Sequence, residues 1–186
     1  MIIVGITGTL GAGKGTVVEY LVKEKGFIHY SVRDFLRKEL ERRNMPLNRD
    51  TLTDVANNLR EKHGPAHIAE ALYREAERTG RNCIIESIRT PGEVRALRTK
   101  ERFYLLAIDA DPEIRYRRIR ERRSETDQIS YDTFLMNEKR EMHATGPFKQ
   151  NLSGCIELAD YVINNNGSIR ELQRKTENFL VKIGYD

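Results

Sequence analysis

A chain of 186 residues with 39% hydrophobic and 32% charged residues is long enough for one domain with a sizeable core. No apolar run is long enough to span a bilayer, and two cysteines, Cys83 and Cys155, cannot make a disulfide framework, so a membrane span and a stapled secreted module are argued against. The net charge of +4 comes from arginine, the opening run MIIVGI is too short and too uncharged for a signal peptide, and a cytoplasmic setting is expected.

The first predicted element is a strand over residues 2–7, and the next is a helix over 13–25. Between them runs the loop Gly8-Thr9-Leu10-Gly11-Ala12-Gly13-Lys14-Gly15-Thr16. Strand, glycine-rich loop and helix together make a phosphate site. Glycines let backbone N–H groups point inward at phosphate oxygens, and the helix N-terminus adds partial positive charge. Lys14 supplies a mobile cation for the terminal phosphates. The position after Lys14, where a Ser or Thr hydroxyl would ligate magnesium, is Gly15, and Thr16 follows it. Magnesium would then be held by nucleotide phosphates and water, with carboxylates behind the water.

A second strand is predicted over 27–30, then helices over 32–43, 51–63 and 66–79. Gly26, Gly64 and Gly80 fall where helices should end. Some fifty residues thus separate the second strand from the third, over 83–86, which reads as a helical insertion of about 31–80 able to wall a pocket. Cys83 in that apolar strand is expected to be a small buried residue. A helix over 91–97, a strand over 103–109 and a helix over 112–123 follow, the helices opened by Thr90-Pro91 and Asp111-Pro112. The last of these holds Arg115, Arg117, Arg118, Arg120, Arg122 and Arg123, which fit a nucleic-acid surface, a solvated face or phosphate clamps. The polar stretch 124–147, with a helix over 131–142, is a candidate lid. A helix over 148–158, a strand over 161–164 and a helix over 168–183 complete the chain. Strands alternating with helices give an α/β class: a three-layer fold of the P-loop NTPase type around a five-stranded parallel sheet, in a single domain. His63 and His67 lie four apart, but Gly64-Pro65 intervenes and no third ligand is apparent; His29 and His143 stand alone.

Several segments resemble the P-loop nucleoside monophosphate kinases. GKGT in the loop is the variation that adenylate kinases carry. Residues 29–37 (HYSVRDFLR) look like the adenylate kinase segment ending in Asp-x-Leu-Leu-Arg, which implies that Arg37 holds the acceptor phosphate, beside Ser31 and with Arg33 where that family has glycine. Residues 84–90 (IIESIRT) resemble the segment that usually reads Asp-Gly-x-Pro-Arg. Arg89 is thereby implied on the acceptor phosphate and Glu86 near the metal, with Asp34 as a second carboxylate acting through water. Arg118 and Arg122 look like the pair of lid arginines on one helix face. Arg117, Arg120 and Arg123 are read as solvated, or as paired with Glu121 and Glu125. Residues 159–168 (ADYVINNNGS) resemble the last strand and loop of dephospho-CoA kinases, which implies Asn166, Gly167 and Ser168 against the base of ATP. Arg140 is a further candidate for the acceptor. Residues 49–64 also resemble archaeal adenylate-kinase-related proteins that share an Arg-Glu-x-x-Gly ending.

Phosphoryl transfer needs two phosphates brought in line, water excluded and charge neutralised, and arginine forks bind phosphate oxygens in pairs. The resemblance implies an enzyme that uses ATP and Mg2+ to phosphorylate a nucleoside or deoxynucleoside monophosphate. A dephospho-CoA kinase is the alternative within that class. A nucleotide-switched ATPase with a nucleic-acid or ribosome-associated role is the alternative outside it. The expected partner is a small-molecule phosphate acceptor; nucleic acid and membrane are disfavoured, and a monomer or homodimer is expected.

Overall fold

The computed structural model describes residues 1–122, 128–146 and 148–185. In chain order, β1 (Ile3–Gly8) leads through α1 (Lys14–Lys25) to β2 (Ile28–Ser31). Three helices, α2 (Val32–Arg42), α3 (Arg49–His63) and α4 (His67–Thr79), precede β3 (Cys83–Glu86). Then come α5 (Pro91–Arg98), β4 (Phe103–Asp109), α6 (Pro112–Arg122), α7 (Tyr131–Met142), α8 (Leu152–Glu157), β5 (Tyr161–Asn164) and α9 (Ile169–Lys182).

The five strands form one parallel sheet in the order β2-β3-β1-β4-β5. A central strand of such a sheet is covered on both faces, so its sequence must be a continuous apolar run. β1 obeys this: all six of its residues are buried. Alternate side chains then go to opposite layers. Ile3, Ile85 and Leu105 pack with Leu36, Leu40, Leu59, Leu72, Val94 and Cys155 on one side. Val4, Ile84 and Leu106 pack with Val17, Leu21, Phe179 and Leu180 on the other. The layers are therefore α2–α5 with α8, the sheet, and α1 with α9.

Strand order places the chemistry. The connection after β1 runs through α1 to β2 on one side and the connection after β3 crosses through α5 to β4 on the other, so connections diverge at the C-terminal ends of the neighbouring strands β1 and β3. Ligands of open α/β sheets bind in the crevice opened there. Residues just beyond β1 and β3 are forced into it by topology.

Glycines fall where the expected helix ends are: Gly26 and Gly80 cap α1 and α4 in left-handed conformation, and Gly64 follows α3. One element differs in extent. The helix expected over 148–158 begins only at Leu152. Asn151 caps it by accepting from Gly154 N at 2.9 Å, while its own N–H donates to Arg89 O at 2.9 Å. That donation ties the preceding segment to the β3 end and stops it from coiling. Of the expected lid, residues 123–127 and 147, with Arg123 and Glu125, lie outside the described residues.

Candidate functional site

The glycine loop turns directly off β1. Gly8 has φ +131°, and a Cβ there would lie 1.9 Å from Ile108 O on the neighbouring strand. Gly13, with φ +104°, would meet Asn165 Nδ2 at 2.5 Å. Only glycine lets the chain turn this tightly against β4 and the β5–α9 turn. The loop is braced from three sides. Thr9 Oγ1 donates to Asp109 Oδ1 at 2.5 Å, Arg115 Nη1 to Leu10 O at 3.4 Å, and Asn165 Nδ2 to Ala12 O at 2.8 Å.

Lys14 opens α1 and folds back on the loop. Its ammonium donates to Gly8 O at 2.9 Å and Thr9 O at 2.7 Å. Burial, then the charge of Arg89, lower its pKa to about 7; Glu86 and Glu141 act in the opposite direction. Gly15 is exposed and faces open space, and Thr16 is half-buried one residue further along α1.

At the end of β3 the chain presents Glu86, Ser87 and Arg89. Glu86 Oε2 lies 3.0 Å from His29 Nε2. That hydrogen bond, with smaller help from Lys14 and Arg89, holds the Glu86 carboxyl below its ordinary range against the opposing effect of burial. The structure pairs Glu86 with His29, which lies two residues before Ser31, the residue opposite Glu86 across β2 and β3. Ser87 has φ +71°, a left-handed conformation at the position where the resembled pattern carries glycine. Arg89 Nη1 donates to Glu141 Oε2 at 3.2 Å and Gln150 Oε1 at 3.1 Å.

Lys14, Glu86 and Arg89, expected from the sequence, are thus brought to one crevice. Others are not. Arg37 is exposed on α2 and pairs with Asp34 at 3.6 Å and Glu41 at 3.8 Å on its own helix. Asp34 is exposed as well, and Ser31 spends its hydroxyl capping α2 through Asp34 N at 3.2 Å. Arg140 is exposed; Glu141, the next residue, turns inward. Arg118 donates to Asn165 O at 2.9 Å and Gly167 O at 3.4 Å, so it braces the turn after β5. Arg122 is exposed at the end of α6. Arg115 does not share a solvent face with Arg118: it is 2% exposed, held by Ala110 O and Glu138 and placed 5.4 Å from the Phe134 ring. In the β5–α9 turn, Asn166 Oδ1 accepts from Asp111 N at 2.8 Å and Ser168 caps α9.

Beneath Arg89 lies a buried ion pair that sequence reading did not single out. Arg60 and Glu93 are 1% and 0% exposed and meet at 3.0 Å. The other Glu93 oxygen accepts from Arg89 N at 2.9 Å and Thr90 N at 3.0 Å. The signal was present as Thr90-Pro91-Gly92-Glu93, a capping box. Nothing in the sequence marks His29, Glu138, Glu141 or Asn165, whose partners lie far along the chain. His63 and His67 stack at 4.6 Å, but among the described residues no group of three or more His, Cys, Asp or Glu is placed to hold a metal. Among the same residues no helix is long and apolar enough to cross a membrane.

Comparison with known proteins agrees with this geometry. Residues 4–146 match the AAA domain family model. UPF0200 protein PH1008 of Pyrococcus horikoshii is 32% identical, with 97% of each chain covered. The chain belongs to both families. Among solved structures, TT1252 from Thermus thermophilus superposes with TM-score 0.66 at 21% identity, covering 97% of both chains. A shikimate kinase from Bacteroides thetaiotaomicron gives 0.58 at 14%, over 98% of both. A dephospho-CoA kinase from Campylobacter jejuni gives 0.54 at 14%, over 97% of this chain and 96% of the other. The fold is that of the P-loop kinases.

Proposed function

We propose that this member of the UPF0200 family is an ATP-dependent small-molecule kinase whose acceptor is a nucleoside or deoxynucleoside monophosphate. The observation that carries the reading is the convergence of Lys14, Glu86 and Arg89 on the crevice where β1 and β3 diverge. The loop from Gly8 to Thr16 receives the phosphates of ATP on backbone N–H groups, and Lys14 turns from Gly8 O and Thr9 O to the terminal phosphates. Arg89 takes the acceptor phosphate. The α2–α4 wall, about residues 31–80, bounds the acceptor, and α7 covers it.

Magnesium suits the donors at hand. It keeps several waters and takes one or two carboxylates together with phosphates. Glu86 is the carboxylate beside Lys14, and its hydrogen bond to His29 keeps it ionised. Magnesium would supply charge neutralisation across the transferring phosphoryl. Asp34, exposed and engaged with Arg37, is a poorer second. Arg118 is reassigned from the transferring group to the turn Asn166-Gly167-Ser168, against which the base of ATP would pack.

A dephospho-CoA acceptor is the second reading, favoured by that same turn and by the fold shared with the Campylobacter jejuni enzyme. One experiment separates the readings. The protein is incubated with radiolabelled ATP and magnesium against a panel of nucleoside monophosphates and dephospho-CoA, and labelled products are resolved. Acceptor-dependent label is expected. Slow hydrolysis that no acceptor alters, and that RNA or a protein partner changes, would instead mark a nucleotide-switched ATPase.

A further inference from the structure

α7 turns two carboxylates, three residues apart and so on one face, towards the phosphate loop. Glu138 and Glu141 line, with Thr9, Leu10, Phe134 and Leu152, a small cleft over that loop. Their partners differ in kind. Glu138 holds Arg115, which is buried and also committed to Ala110 O and Leu10 O. That guanidinium stays with the loop in any state. Glu141 holds Arg89, which is 31% exposed and donates from Nη1 to Glu141 and Gln150.

A carboxylate and a phosphate offer an arginine fork the same thing: paired anionic oxygens at matching spacing. We propose that Glu141 occupies an oxyanion subsite at Arg89 which a phosphate monoester takes in the loaded protein, so that α7 and the ligand compete for one guanidinium. The proposal rests on the phosphotransferase reading in taking Arg89 as an acceptor group.

Three features support it. Glu141 belongs to the charges felt by Lys14, so phosphate arriving between Lys14 and Arg89 meets a like charge. α7 has an anchor apart from Glu141: Phe134 is 1% exposed and packs 5.6 Å from the Tyr116 ring, while Glu138 grips Arg115. Release of Arg89 by Glu141 therefore leaves α7 docked, with Ser153 Oγ also donating to Met142 O at 2.9 Å at its end. The opposite face of α7 is open, with Met136 65% exposed and Leu135 37% exposed. A phosphate bearing two charges displaces Glu141, and a neutral acceptor does not.

The test is a calorimetric double-mutant cycle with inorganic phosphate as the probe, using wild type, Glu141→Gln, Arg89→Met and the double variant. Phosphate bound at the glycine loop alone also feels the loss of the Glu141 charge through Lys14, but that gain would persist in the Arg89→Met background. Glu141→Gln is expected to tighten phosphate binding by about tenfold, within the usual range of coupling between competing sites, and the gain is expected to vanish in the Arg89→Met background. Unchanged or weaker binding in Glu141→Gln, or a gain that survives loss of Arg89, overturns the proposal. If Glu141→Gln melts far below wild type, Glu141→Asp keeps the charge but shortens its reach and must show a smaller gain of the same sign; no gain there overturns it equally. Absence of labelled product from wild type across the acceptor panel would reject the kinase reading and leave this phosphate cycle standing.

Discussion

Glu93→Ala should be among the most damaging single changes in this chain, although Glu93 touches no proposed ligand. The side chain is fully buried and accepts four hydrogen bonds: Arg60 Nε at 3.3 Å, Arg60 Nη2 at 3.0 Å, Arg89 N at 2.9 Å and Thr90 N at 3.0 Å. Alanine leaves the Arg60 guanidinium charged, 1% exposed and unpaired. Breaking a buried pair from one side costs about 3–5 kcal/mol. The Glu93 half of the α5 capping box is lost too, while Thr90 Oγ1 still accepts from the backbone N of residue 93, and the losses share partners and do not add fully. Roughly 4 kcal/mol is expected, a large fraction of the 5–15 kcal/mol that holds a typical domain. Urea denaturation followed by circular dichroism should show a lower midpoint at unchanged slope. The companion variant Arg60→Met with Glu93→Gln removes the charge, keeps an acceptor for Arg89 N and Thr90 N, and should recover most of the loss. A cost under about 1 kcal/mol for Glu93→Ala, or a double variant no better than the single, would refute the assignment of buried charge as the cause.

Lys14→Ala should leave the melting temperature near wild type and lower phosphoryl transfer by about a hundredfold or more, measured as labelled product per minute. Near-normal turnover in the folded variant would sink the kinase reading. Ser87→Gly relieves a left-handed serine at φ +71° and should raise stability by about 0.5–1 kcal/mol in thermal or urea melts, less the entropy glycine returns to the unfolded chain. His67 has its pKa lowered first by burial and then by the charge of His63. A histidine depressed in the folded state contributes stability that is full above the unfolded value near 6.5 and is lost as pH falls below it towards the folded pKa. Comparing denaturation midpoints at pH 7.5 and 5.5, wild type should lose stability on acidification and His67→Gln should lose less; equal slopes would rule His67 out as the cause.

What the sequence displays and what it hides divide along a physical line. Local pattern carries the framework. β1 is an unbroken apolar run because it is covered on both faces, and the glycines after α1, α3 and α4 mark ends the backbone cannot otherwise make. The glycine loop is legible because its requirements are conformational and fall within nine consecutive residues. Side-chain charge is a different matter, since it is satisfied by whatever the fold brings near. In the arginine-rich helix the residue type says phosphate clamp at every position. Yet Arg115 goes into the interior to hold Leu10 O, and Arg118 braces the turn after β5. Only the contribution of α7 and β5, distant in sequence, decides between these fates. Arg37 shows the same rule in reverse. Asp34 and Glu41 lie within one turn of it on either side, and local partners on an exposed helix face capture a guanidinium that no distant group competes for. Arg89 has Glu86 three residues before it and Glu93 four after it, but it stands between β3 and α5, where His29 takes Glu86 and Arg60 with backbone N–H groups takes Glu93. Its guanidinium finds partners across space, in Glu141 and Gln150. A guanidinium that is 31% exposed and held by acceptors far along the chain is one that another anion can recruit, and this is the property on which the proposal for Arg89 rests.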